Sequence, residues 1–182
     1  MSSKKGFNDY KIVDGLVYMF LYKRNGDVYI TVFYEKHLEK IKKLDVSWNL
    51  WWNKDTETYY CRATKYIRVI NGKSKNKSIY LHKAILDFPK VLIDHKNHDT
   101  LDNRDENLRE ATKKLNATHR EGENKNNKSG YRNVSWIHNW YRIQLQIDGK
   151  NYMFPEKFKD VEEAAKFAEE MRQKYYGEFA GN

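Results

Sequence analysis

Three Asx-Gly dipeptides, Asp14-Gly15, Asn25-Gly26 and Asp148-Gly149, punctuate runs that are rich in aliphatic and aromatic residues. Such a pair favours a two-residue turn whose central positions both need positive φ, so the flanking runs are set to return as antiparallel strands. Residues 16–22 (LVYMFLY) and 28–34 (VYITVFY) make one such pair. A helix is expected over 35–44, where Leu38, Ile41 and Leu44 recur at helical spacing and Lys and Glu take the other side. Trp48, Trp51 and Trp52 read as local core. A second β segment spans 59–70 and closes at Asn71-Gly72. Residues 80–86, with Leu81, His82, Ile85 and Leu86, read as a helix packed on the sheet.

The pattern lapses at 118–128 (THREGENKNNK), which has no apolar residue and reads as a solvated basic linker. It then restarts. Strands are expected at 130–136 and 140–147, with 150–154 returning across Asp148-Gly149. Along 140–147, Ile143, Leu145 and Ile147 point one way and Arg142, Gln144 and Gln146 the other. The last element is a helix with Asp160 as N-cap, Glu163 completing a capping box, and Gly177 as a left-handed end. Its apolar stripe is Val161, Ala164, Ala165, Ala168, Met171 and Tyr175. The fold class is therefore α+β. An antiparallel sheet region comes first, and a small three-stranded sheet packed on one helix comes last. A flexible N-terminus (1–6), a body (7–117), the linker (118–128) and a C-terminal unit (129–182) divide the chain.

Charge narrows the partners. The 182 residues carry 34 Lys and Arg against 25 Asp and Glu, a formal +9. That balance favours a polyanion, by counterion release and by steering. A single cysteine, Cys61, excludes an internal disulfide framework and a cysteine-cluster zinc site. The first six residues are polar and basic, unlike a secretory signal. No apolar run approaches the ~20 residues of a membrane span. A soluble protein of the cytoplasm is the expectation, with no membrane partner.

The chemistry concentrates between residues 94 and 116. Asp94 offers a carboxylate and Asn116 a neutral amide oxygen, a pair that would leave a hard divalent ion strongly electrophilic. His95 beside Asp94 offers a general base, although strand alternation would send the two to opposite faces unless the strand ends or twists there. Asn107 suits a backbone clamp, since its amide both donates and accepts. Arg104 and Arg109 suit either phosphate contact or ion pairs with Glu106 and Glu110. His82 reads as a packed helix residue or a neighbour of the site, and His98 and His119 as exposed.

Asp94-His95, Asp102-Asn103-Arg104, Asn107-Leu108-Arg109, Thr112 and Asn116 resemble the HNH endonucleases of the phage and homing type. The resemblance implies a ββα-metal module in which His95 ends the first strand as general base. Asp94 and Asn116 would ligate Mg²⁺ or Mn²⁺, and Asn107 would hold the loop and orient His95. Thr112 would cap a helix that presents Asn116 inward. It further implies double-stranded DNA as substrate, 5′-phosphate and 3′-hydroxyl products, no small-molecule cofactor besides the metal, and a monomer or weak dimer that nicks. If the chain is phage-encoded, its compartment is the host cytoplasm.

A second resemblance starts at Ser129. The stretch SGYRNVSW, then Trp140-Tyr141-Arg142, Asp148-Gly149-Lys150 and Glu162-Glu163-Ala164-Ala165, is similar to the APETALA2-type DNA-binding domain. That likeness implies three strands in the major groove, with Arg132, Trp136, Arg142, Gln144, Gln146 and Lys150 facing DNA. Competing expectations are a sequence-specific binder that does not cut, and a junction or structured-RNA nuclease.

Overall fold

The computed structural model describes residues 7–68, 74–119 and 126–181. The Asn71-Gly72 turn, the first six residues and most of the linker lie outside that range. Contacts divide the chain into two compact units, Met1–Ala111 and Thr112–Asn182. Mixed α and β structure runs through both, in several small antiparallel sheets with a helix at the C-terminal end.

In the first unit, β1 (Tyr10–Val13), β2 (Leu16–Tyr22) and β3 (Val28–Tyr34) form one sheet in that order. Asp14 and Gly15 both take positive φ (50° and 73°), as a two-residue turn requires. Asn25-Gly26 does otherwise. Gly26 alone turns positive (φ 94°), its N–H bonds Lys23 O, and Lys23 N bonds Asp27 O. The loop is thus a turn followed by a glycine bulge, so the dipeptide marked the place and not the turn type.

A short 3₁₀ turn (Glu35–His37) leads into α1 (Leu38–Lys42), which places Leu38 and Ile41 in the core. A second sheet follows, β4 (Trp48–Asn53), β5 (Thr58–Arg68) and β6 (Ser74–Tyr80), in the order β4-β5-β6. Only Trp48 is buried. Trp51 points to the other face of β4, where Tyr60, Tyr80 and the Arg62 guanidinium meet it, and Trp52 is exposed at the strand's end. Helix α2 (Leu81–Ile85) closes the sheet. Val17, Met19 and Leu21 from β2 share one core with Phe33, Ile41, Trp48, Ile79, Leu81 and Ile85. Each large side chain so buried contributes ~1.5–3 kcal/mol. Asn8 ties the sheets together: its Nδ2 donates to Phe20 O and Trp48 O, and its Oδ1 accepts from Trp48 N. Two further strands, β7 (Leu92–His95) and β8 (Leu108–Ala111), pair antiparallel.

The second unit begins with α3 (Lys113–Thr118). A sheet in the order β11-β10-β9 follows, from β9 (Val134–Ile137), β10 (Trp140–Ile147) and β11 (Lys150–Met153). Strand β9 starts later than expected, because Gly130 and Asn133 take positive φ and turn the chain first. Helix α4 (Val161–Tyr176) packs on the sheet through Ala164 and Ala168, against Val134, Ile143, Leu145 and Phe154. Asp160 Oδ1 caps it, accepting from Glu162 N and Glu163 N. The buried stripe continues to Arg172 and the half-buried Tyr176, leaving Tyr175 exposed. Gly177 ends the helix at φ 53°, ψ −125°, outside the left-handed helical region and open to glycine alone. Among the described residues, no helix is long and apolar enough to cross a membrane.

Candidate nuclease site

The register of β7 and β8 pairs Asp94 with Arg109 and His95 with Leu108. The strand ends at His95, and the two candidate side chains, as neighbours on it, leave opposite faces of the ladder. Asp94 meets Arg109, whose Nε lies 2.8 Å and Nη2 2.7 Å from Oδ2. Asp94 is buried and Arg109 half-buried. Arg104 takes Asp102 instead, at 2.8 Å and 2.7 Å, with Glu106 at 3.5 Å. Each arginine thus pairs chiefly with an Asp, not with the neighbouring Glu.

The connecting loop is built on short-range side-chain bonds. Asn97 Oδ1 accepts from Asp99 N, and Asp99 Oδ1 from Leu101 N. Asn107 closes the loop from inside: its Oδ1 accepts from Asn97 N, its Nδ2 donates to Asp102 O, and its backbone carbonyl accepts from Lys96 N. The loop also docks on β3, with Val32 N bonded to Leu101 O and Asn103 N to Val32 O.

That docking delivers a residue to which sequence reasoning gave no role. Asn103, 1% exposed, places Oδ1 3.3 Å from His95 Nε2. Its Nδ2 donates to Thr31 Oγ1 (2.8 Å) and Leu101 O (3.2 Å), while Thr31 Oγ1 donates to Leu101 O. A carbonyl accepts only, so the amide orientation follows. Asn103 Oδ1 is then the acceptor facing His95, whose Nε2 carries the proton. The basic lone pair is left on Nδ1. The hydrogen bond that orients His95 therefore comes from Asn103, whereas Asn107 holds the loop.

His95 sits against His82 (ring centroids 5.3 Å, near perpendicular) and Tyr60 (6.2 Å). Burial lowers the His95 pKa, and the Asn103 bond opposes this only in part. Burial also takes His82 down to about 3, with His95 adding to the fall. Both rings are neutral near pH 7, the state a proton acceptor needs.

Thr112 Oγ1 accepts from Leu115 N and caps α3, as the motif implied. Asn116 lies on that helix and is exposed. His119 follows it and is buried, its ring edge-on to Phe179, in contrast to the expected exposure.

The second expected surface is more divided. Register places Arg142, Gln144 and Gln146 on the outer face of the sheet, with Ser135, Met153 and Asn151 opposite them. Gln144, Gln146 and Asn151 are exposed, and they line a polar groove of about 500 Å³ with Asn133 and Ser135. Arg142 is half-buried and donates from Nη2 to Phe154 O. Trp136 pairs with Tyr141 and Lys150 with Ile147, so by register both lie on the helix side. Arg132 is buried, with Nη1 on Ala180 O and Nη2 on Thr118 O. It ties backbone segments together and does not face solvent, a correction to its expected role.

Residues 87–118 match the family model of the HNH endonucleases, a span that holds β7, the loop, β8 and α3. No curated protein and no solved structure matches the chain. The match supports a nuclease domain of the HNH kind, a hydrolase in general class.

Proposed function

We propose that this chain is a metal-dependent endonuclease of the phage or homing kind that hydrolyses double-stranded DNA at preferred sequences. The observation that carries the reading is the His95 pocket. Within the stretch that matches HNH endonucleases, a neutral histidine has its Nε2 proton engaged by Asn103 and its Nδ1 lone pair available as base.

Asp94 and Asn116 would hold the ion. Their carboxylate and amide oxygens are the donors a hard divalent cation such as Mg²⁺ or Mn²⁺ takes. When bound, the ion supplies charge neutralisation at the phosphate and at the leaving 3′ oxygen. His95 Nδ1 accepts a proton from the attacking water. Asn103 holds the ring so that Nε2 keeps its own proton. Asn107 fixes the loop that carries Asn103. In the second unit, Gln144, Gln146 and Asn151 would read base edges with Arg142, since amides suit adenine and guanidinium suits guanine. One such site per chain makes a single copy a nicking enzyme.

A second reading has its own support. Arg109 engages Asp94 Oδ2 twice, and a carboxylate so engaged competes poorly for a cation. A protein that binds DNA without cutting would keep that pair closed.

Supercoiled plasmid incubated with the chain in Mg²⁺, Mn²⁺ or EDTA separates the two. Metal-dependent open circles, lost in His95→Ala and Asp94→Ala, are expected. Binding without conversion on a library-scale mixture of sequences would favour the second reading.

A further inference from the structure

Strand β4 pairs with β5 only from Thr58 to Ala63. Beyond Ala63, β5 continues with β6 alone, residues 64–68 against 74–78, as a two-stranded ribbon. Every described side chain from Thr64 to Ile67 and from Lys75 to Ser78 is exposed, on both faces. Lys65 stands directly opposite Lys77, and Lys75, opposite Ile67, shares their face. From Thr58 to Leu86 the sequence holds seven Lys and Arg and no Asp or Glu.

Stability does not account for this. Like charges directly opposed on a sheet destabilise it. A two-stranded ribbon that buries neither face is marginal in water. The root is secured by buried Ala63 and Ile79, and by Lys65 Nζ on Leu44 O at 3.2 Å. Lysines on open strands do discourage pairing with other chains, but that role does not call for an acid-free run through both strands and into α2. The single sign is what needs a partner.

We propose that the β5–β6 ribbon is a DNA-binding arm that lies in the major groove, with Lys65, Lys75 and Lys77 against phosphates. The major groove of B-DNA admits a two-stranded ribbon and brings a phosphate wall along each side. The deep, narrow major groove of A-form RNA does not admit one. The inference rests on the reading of the chain as a DNA enzyme and adds a binding element outside the stretch that matches HNH endonucleases.

The test uses the full chain with EDTA present, so that no cleavage intervenes. A fluorescent mixed-sequence DNA duplex is titrated by anisotropy between about 50 and 200 mM salt, because each phosphate contact contributes about 0.9 to the salt slope. The triple reversal K65E/K75E/K77E is compared with K11E/K43E/K166E, which reverses three exposed lysines elsewhere. The ribbon variant should lose at least about tenfold more affinity than the control, with a slope lower by about 2 to 3. Equal losses in the two variants would overturn the ribbon while leaving the DNA reading standing. Tighter binding to duplex RNA of the same sequence, lost on ribbon reversal, would also overturn it. Failure of the parent chain to bind the DNA duplex would remove the DNA reading itself, and the arm with it.

Discussion

Asp94 and His95 are adjacent in sequence and almost equally buried, at 8% and 4% exposure, yet they meet different surroundings. Asp94 faces the Arg109 guanidinium, whose Nε and Nη2 both reach Oδ2. His95 faces two rings and an amide, and its desolvation outweighs the pull of Asp94, Asp99 and Asp102, so its pKa is lowered. A strand's period of two is what separates the pair. One backbone step thus sets a carboxylate against a guanidinium and an imidazole among rings.

Exchanging the two for alanine should break the comparison most visibly. His95→Ala should lower the cleavage rate by at least ~10²–10⁴-fold, the range of a lost general base, with DNA affinity nearly unchanged. Its effect on folding should come from the cavity and the lost Asn103 bond, with no buried charge left behind. Asp94→Ala should abolish cleavage and also cost up to ~3–5 kcal/mol of stability, since it removes both bonds that the Arg109 guanidinium makes to Oδ2. Urea melts of the two variants beside plasmid assays check both halves. Similar stability losses in both would mean that the Arg109 pair is not the distinguishing feature.

Acid should sharpen the same contrast. His82 is held down to about 3 in the folded chain against 6.5 when unfolded, and His95 is lowered in the same direction. Between those values the unfolded chain binds a proton that the folded chain refuses. Stability is therefore full above about pH 6.5 and falls as pH drops toward 3, by ~1.4 kcal/mol per pH unit for each fully lowered histidine. His82→Leu should flatten that slope. An unchanged slope between about pH 6.5 and 4.5 in the variant would assign the acid sensitivity to other groups.

Asn103 tests how the neutral side of the comparison is held. Asn103→Ala would leave the Nε2–H of His95 without its acceptor, at a cost of ~1–3 kcal/mol. ¹⁵N chemical shifts of the ring should report Nε2–H in the parent and a mixed tautomer in the variant. Cleavage should fall through kcat more than through KM. Thr31→Val, one bond further back, should move the same observables less. A parent spectrum of the Nδ1–H form would refute the assignment outright.

How much of this was legible in sequence follows from the reach of each contact. Asn107 could be read as a loop clamp because its partners, Asn97 and Asp102, lie ten and five residues away. Asp160 could be read as a cap because it bonds residues two and three further on. Asn103 could not, since its amide is set by Thr31, 72 residues upstream. Arg132 looked like a surface base, and only the return of the C-terminus to place Ala180 O beside it shows a buried strut. Strand β6 (SKNKSIY) was missed because apolar periodicity cannot register a strand exposed on both faces for most of its length. The two-residue turn at Asn25-Gly26 failed for a local reason, as Asn25 keeps negative φ and the glycine alone supplies the bulge.

The smallest expected effect concerns the outer sheet face, where the logic of Asp94 and His95 recurs in milder form. Arg142 shares that face with Gln144 and Gln146, but its guanidinium is half-buried and donates to Phe154 O, while the two amides are exposed. A bidentate Arg–guanine contact is worth ~1–3 kcal/mol of discrimination, and an arginine committed to the backbone must give up that bond to make it. Arg142→Ala should therefore cost less specificity than Gln144→Ala. Most of its penalty should appear as a stability loss near ~1 kcal/mol, from an unpaired carbonyl at Phe154. Selection of binding sites from random duplexes decides the order. Adenine-rich preferences that weaken in Gln144→Ala and persist in Arg142→Ala are expected. A guanine preference lost with Arg142 would mean that the guanidinium leaves Phe154 for DNA, and that the arginine is the reader on this face.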